Sequence, residues 1–289
     1  MKVLITGAGG QLGADLCRAL HDTEIIPLTH VDLEITDLNL VKSMITRHRP
    51  DVVINTAAFV RVDDCESEPD TAFMVNSLGA KNLALACQEL GAKLAHISTD
   101  YVFGGEPGRR TTPYTESDHP LPLNIYGKSK LEGETLVRQL CPQHFIIRTS
   151  GLFGTAGSSG KGGNFIETIL KRAKEGRTLT VVEDQFVSPT YTADLAQKIA
   201  QIIMTDYYGL FHIVNKGACS WYEFSLEILS LASLNCAVTP VSSDQYPQKA
   251  IRPRYSVLDN HRLRQLGMDD MRPWQEALKD YLSVKGHVQ

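Results

Sequence analysis

A tyrosine and a lysine four residues apart, Tyr126 and Lys130, are the pair in this chain best suited to moving a proton. On a helix that spacing puts both side chains on one face. A free phenol has a pKa of about 10 and donates slowly at neutral pH. A neighbouring ammonium favours phenolate, as does an oxidised nicotinamide ring, so the expectation is a lowered value for Tyr126. Such a phenol can protonate a carbonyl oxygen while hydride arrives from a reduced nicotinamide. Thr99, in Ser98-Thr99-Asp100-Tyr101, offers a hydroxyl to the same oxygen or to the phenol. Alone, Tyr-x-x-x-Lys is common on helix surfaces, and its weight here depends on what lies upstream.

Upstream, Thr6-Gly7-Ala8-Gly9-Gly10-Gln11-Leu12-Gly13 directly follows the apolar run Val3-Leu4-Ile5. Glycines at a strand-to-helix turn permit the tight bend, let the backbone approach a pyrophosphate and allow helix and strand to pack closely. The helix start then presents free N–H groups and a partial positive charge to phosphates. A dinucleotide site and a tuned proton donor in one chain make up the equipment of a carbonyl reductase. The end of the second strand, which often separates NAD from NADP, reads Thr29-His30, with Asp32 and Glu34 slightly later. Neither a clear acid nor an arginine stands there, so NADH and NADPH both remain open. The small side chains of Asn55-Thr56-Ala57-Ala58 let a backbone lie against a flat ligand.

These residues need a scaffold, and the apolar rhythm supplies one. Strands are expected at 2–5, 24–28, 51–55, 93–98 and 145–148, with helices at 11–20, 38–47, 70–90 and 126–140. That alternation predicts an α/β fold, a Rossmann-type doubly wound parallel sheet with right-handed connections. Each motif falls at the carboxyl end of a strand, where such sheets bind ligands. Beyond about Gly151 the rhythm loosens. The stretch 154–163 is rich in Gly and Ser and reads as a mobile loop. Helices follow at 164–175, 192–204, 222–232 and 274–284, with strands at 178–182 and 210–214. The expected division is a dinucleotide-binding domain at 1–150, with a return to the sheet near 190–215, and a mainly substrate-binding lobe at 151–289.

Bulk composition narrows the class. With 289 residues, 43% hydrophobic and 21% charged, the chain can build a large core and is too apolar for disorder. A net charge of −4 gives no basic footprint, which argues against nucleic acid. No apolar run is long enough to span a membrane, and a strand begins at once where a signal peptide would lie. Six scattered cysteines form no C-x-x-C pair and nine histidines no ligand spacing, so no metal site is expected. They read as reduced, mostly buried thiols of a cytoplasmic protein.

With these motifs in hand, the chain resembles the extended short-chain dehydrogenase/reductase family over essentially its whole length. Beyond the segments above, the likeness rests on Val62-Asp63-Asp64-Cys65-Glu66-Ser67-Glu68-Pro69 and Pro122-Leu123-Asn124-Ile125-Tyr126-Gly127-Lys128-Ser129-Lys130-Leu131. Arg148-Thr149-Ser150, Asp184-Gln185, Ser188-Pro189-Thr190 and Arg252-Pro253 continue it. Its nearest members are 4-keto reductases of dTDP-6-deoxy-hexuloses. The resemblance implies hydride transfer from NADPH or NADH, with Thr99, Tyr126 and Lys130 as the catalytic triad. It places Gly7, Gly10, Gln11 and Leu12 on the pyrophosphate, Glu34 and Ile35 near the adenine, and Ala57 and Ala58, with Tyr126 and Lys130, along the cofactor. Asp100 and Tyr101 would face the sugar, and Asn164 and Arg252 the nucleotide-diphosphate end. The implied partner is a nucleotide-sugar, and a homodimer is compatible with the family. Gly151 stands where the family usually has a tryptophan and Val60 where it has a threonine. Asp15 falls where some members hold magnesium between subunits, but no partners for it can be named, so no metal is expected. Two other readings stay open: a reductase or epimerase of another nucleotide-sugar, and a non-catalytic subunit like the regulatory subunits of methionine adenosyltransferase.

Overall fold

The computed structural model describes residues 1–108, 110–156, 163–246 and 248–288. The first half alternates as β1 (Lys2–Thr6), α1 (Gln11–Ala19), β2 (Glu24–Leu28), α2 (Leu38–His48) and β3 (Val52–Asn55). It continues with α3 (Val62–Ser67), α4 (Pro69–Phe73), a π turn (Met74–Leu78), α5 (Gly79–Leu90), β4 (Lys93–Thr99), a 3₁₀ turn (Asp100–Val102), α6 (Ile125–Leu140) and β5 (His144–Thr149). The second half contains β6 (Leu152–Phe153), α7 (Phe165–Lys174), β7 (Leu179–Val182), β8 (Phe186–Val187), β9 (Thr190–Tyr191), α8 (Thr192–Ile202) and β10 (Gly209–His212). It closes with β11 (Cys219–Ser220), α9 (Trp221–Leu231), β12 (Val238–Val241), α10 (His261–Gln265) and α11 (Trp274–Val284). The centre of the Gly- and Ser-rich stretch, 157–162, lies outside the described residues.

Six strands form one sheet in the order β10-β5-β4-β3-β1-β2, every pairing parallel. Helices cover both faces, so the inner strands are apolar without alternation. Val3, Leu4 and Ile5 are wholly buried, as are Val53 and Ile54. β2 contains Pro27, which a parallel sheet tolerates at this edge because no further strand needs its missing N–H. One core joins α1 and α8 through Leu12, Leu16, Leu195 and Ile199; the opposite core packs α2, α5 and α6 through Val41, Leu83 and Val137. The expected doubly wound sheet is present, and its last strand comes from beyond residue 200.

A third core gathers Phe153, Ile166, Leu179, Phe224 and Tyr281 from the second half, with small sheets pairing β7 with β12, β8 with β11 and β6 with β9. The boundary between halves is not a cut across the chain. Leu195, Ile199, Phe211 and Leu263 belong to the same core as Val3 and Leu16.

The helix expected at 70–90 is instead three pieces. Between α4 and α5 the π turn holds Asn76, which is buried. A buried amide needs partners. Asn76 accepts from Phe59 N (2.9 Å) and donates to Phe59 O (3.1 Å) and Ser129 Oγ (3.0 Å). The apolar period runs on through the turn, so one helix is what it signals. α3 was missed because six residues are too few to display a period.

Candidate active site

At the β1–α1 turn, Gly7 has φ of 69°, and a Cβ there would lie 2.8 Å from both Ala57 N and Thr56 Oγ1. Only glycine fits the conformation and the close approach. Helix α1 has Gly10 as its N-cap and no side-chain cap, so its first N–H groups stay available. Asn55 fixes the neighbouring loop: its Oδ1 accepts from Thr6 Oγ1 (2.7 Å) and Ala57 N (3.1 Å), and its Nδ2 meets His96 Nδ1 at 3.1 Å.

From this turn a cavity of about 810 Å³ runs along the carboxyl ends of the strands. Its walls include Gly7, Gly10, Gln11, Leu12, Glu34, Ile35, Ala57 and Ala58, and also Thr99, Asp100, Tyr101, Tyr126, Lys130 and Asn164. Of the residues to which the resemblance gives a catalytic, cofactor or substrate role, Arg252 alone lies off these walls. It pairs instead with Asp63, at 2.8 and 3.3 Å, because a carboxylate closer by satisfies its fork.

The face bearing Tyr126 and Lys130 is built by α6 standing on β4. Asn124 caps the helix, its Oδ1 accepting from Gly127 N at 2.8 Å. Tyr126 therefore sits in the first turn, and Lys130 one turn on donates Nζ to Ile97 O at 2.6 Å. A Cβ at Gly127 would lie 2.1 Å from Tyr101 O, so glycine is what lets the helix meet the 3₁₀ turn. The rings of Tyr101 and Tyr126 stand edge to face, 5.8 Å apart.

The electrostatics differ from the expectation in one respect. Burial pushes the Tyr126 phenol above its ordinary value, and a hydrogen bond with Thr99 only partly opposes this. Lys130 is held down to about 8 by burial, against the pull of Glu134. The lowering expected from the lysine is not found: desolvation dominates the phenol, and what opposes it comes from Thr99. Burial, then the nearby Lys130, keeps His96 well below the usual imidazole range.

Asp100 faces the cavity, yet both its oxygens are taken. Oδ1 accepts from Thr99 Oγ1 (3.1 Å), and Oδ2 accepts from Ser150 Oγ (2.9 Å) and Ser256 Oγ (2.6 Å). Burial raises its pKa to about 6 although those hydroxyls favour the charge. Behind Lys130, Glu134 receives Arg148 Nε (2.9 Å) and Nη2 (2.7 Å) and Ser98 Oγ (2.5 Å), all within the protein interior. Glu134 and Ser256 stand in none of the motifs above, although Glu134 was detectable four residues after Lys130, and Ser150 enters only as part of Arg148-Thr149-Ser150.

At the far end, Asn164 caps α7 by accepting from Glu167 N (3.0 Å) and donates to Gly154 O (3.2 Å) and Tyr281 Oη (3.0 Å). Gly151, with φ of 56°, shares this end with Phe165 and Trp221, whose rings lie 4.8 Å apart. Asp15 is buried, its carboxylate bonded to Thr192 and Arg18.

The sequence model of the RmlD substrate binding domain matches residues 1–286. The chain belongs to the RmlD family. It is an NAD(P)H-dependent oxidoreductase with the Rossmann-type sheet described above. The chain is 44% identical to the spore coat polysaccharide biosynthesis protein SpsK of Bacillus subtilis (strain 168), over 98% of each chain. It superposes with a TM-score of 0.94 on a dTDP-4-dehydrorhamnose reductase, an RfbD ortholog from Clostridium acetobutylicum, at 43% identity, covering 99% and 100% of the two chains. A dTDP-4-dehydrorhamnose reductase from Bacillus anthracis, solved in complex with NADP, is similar at TM-score 0.93 and 41% identity, covering 98% and 99%.

The family's cofactor can be tried against the residues present. Gln11 Oε1 and Thr149 Oγ1 are buried polar atoms of the cavity wall with no partner among the described residues. Together with the uncapped α1 N-terminus and the space at Gly7, they fit a dinucleotide.

Proposed function

We propose that the chain reduces the 4-keto group of a dTDP-6-deoxy-hexulose, converting dTDP-4-dehydrorhamnose to dTDP-L-rhamnose. The observation that carries this is the gathering of Thr99, Tyr126 and Lys130 on the same cavity as the glycine turn. A bound reduced nicotinamide supplies the hydride. Tyr126 gives its proton to the carbonyl oxygen as that oxygen gains charge. The raised phenol value opposes donation, so the role requires the Lys130 ammonium and the positive charge that develops on the nicotinamide to bring it down in the complex. Thr99 orients the phenol, and the Lys130 ammonium stabilises the phenolate left behind.

In this reading residues to about 150 hold the cofactor, and 151–289 mainly hold the nucleotide-sugar. The protein acts in the cytoplasm without nucleic acid or a membrane; no helix among the described residues is long and apolar enough to cross one. Gly151, on the cavity wall without a side chain, favours a second reading, a reductase or epimerase of another nucleotide-sugar. The test is NAD(P)H consumption with a dTDP-4-keto-6-deoxy-sugar generated in situ, for the wild type and Tyr126→Phe. No turnover by the wild type would sink the substrate assignment, and undiminished turnover by the variant would sink the role of Tyr126.

A further inference from the structure

The first turn of α6 is tied down from two sides, and neither tie belongs to the catalytic residues. From α3, Glu66 Oε1 accepts from Ile125 N at 2.8 Å. From the C-terminal half, the strap at 249–252 lies alongside, and Asn124 Nδ2 donates to Ile251 O at 2.8 Å. The strap is itself bound to α3: Ala250 N donates to Asp63 Oδ1 (3.0 Å), Arg252 pairs with Asp63, and Lys249 Nζ donates to Ser67 Oγ. Ile251 is 67% exposed, so the buried Ala250 and these polar bonds, rather than the Ile251 side chain, hold the strap. Arg252 also stands close enough to the Tyr101 phenol to pull its pKa down against burial, and the Tyr101 ring abuts Tyr126. Asn124 is buried, and among the described residues it alone both caps α6 and grips the strap.

We propose that Asn124 is a positioning residue, coupling the strap at 249–252 to the orientation of the Tyr126 phenol. The coupling runs through one side chain used twice. Its oxygen fixes the helix start two residues from Tyr126, while its nitrogen fixes the strap that carries Arg252 to Tyr101. A displacement of the strap therefore moves the helix start with it. For proton transfer a small displacement matters, since misplacement by about 1 Å can cost on the order of a hundredfold. The inference rests on the reductase reading above for its kinetic consequence, but not for its structural one.

Asn124→Ser and Asn124→Asp separate the two uses, because Ser and Asp cap helices well yet neither can donate as the amide does. Both variants are expected to fold, to bind NADPH within about twofold of wild type, and to lose about tenfold in kcat with little change in KM. Hydrogen exchange supplies the readout independent of activity: the Ala250 amide exchanges faster while that of Gly127 stays protected. Turnover within about twofold of wild type in both variants, or unchanged exchange at Ala250, overturns the inference. A parallel fall in NADPH affinity and kcat overturns it too, since that marks general disturbance. If the wild type turns over no dTDP-4-keto sugar, the reductase reading fails, and the exchange data still decide the coupling.

Discussion

Burial moves the two titrating groups of the site in opposite directions, the Tyr126 phenol up and the Lys130 ammonium down to about 8. Replacing Tyr126 by Phe removes the proton and should lower kcat by about 10²-fold or more while leaving the NADPH dissociation constant within a few-fold, read by fluorescence titration. Lys130 is charged below about 8 and neutral above it, so kcat/KM should fall on the alkaline side with a midpoint near 8. Lys130→Met should show low activity without that limb. Asp100 makes a prediction about stability. Its folded value of about 6 lies above the ordinary one, so the native state holds this proton more tightly than the unfolded chain. The favourable contribution is full below the ordinary value and is lost as pH rises through about 6, a span of roughly 3 kcal/mol. In Asp100→Asn, melting temperature measured between pH 4 and 7 should lose this component of its slope. Thr99, Tyr126 and Lys130 were legible because motif and spacing announce them. The true surroundings of Asp100 were not, since Ser150 and Ser256 lie 50 and 156 residues away in the chain.

Among the elements, α6 is the one whose packing and chemistry cannot be separated. Gly127 admits the 3₁₀ turn, and Gly127→Ala must push the helix start off Tyr101 O. A cost of about 1–3 kcal/mol by urea denaturation is expected, with a larger loss of turnover than of NADPH binding. One turn beyond Lys130, Glu134 neutralises the buried Arg148. Glu134→Ala strands that guanidinium and should cost about 3–5 kcal/mol by the same measurement. The alternation of strands and helices was legible because each inner strand is a short apolar run and each helix has one apolar face. The π turn was not, because Val75 and Leu78 keep the apolar rhythm across it while Asn76 turns inward to Phe59 and Ser129. Nor were β6, β8, β9 and β11, whose two residues each leave no periodic trace, although α7, α8, α9 and α11 lie where their apolar period put them.

For the whole molecule, the cavity draws its walls from the glycine turn at one end and from Phe165 and Trp221 at the other. A cofactor binding only the folded state should stabilise by about 2.7 kcal/mol at a hundred times its dissociation constant, raising the melting temperature in a thermal scan. The sheet adds a constraint of a different kind. Its edge strand β10 and the helix α8 that precedes it are encoded beyond residue 190, yet they complete the core of the first half. Exchange of halves between relatives at residue 150 would therefore bring in a foreign edge strand and a foreign helix against α1. Chimeras that keep 192–212 from the same parent as 1–150 should fold, while those cut once at 150 should carry mismatched cores and an ill-fitting β5 edge. For this family architecture, the unit of recombination is set by the sheet and not by the order of the chain.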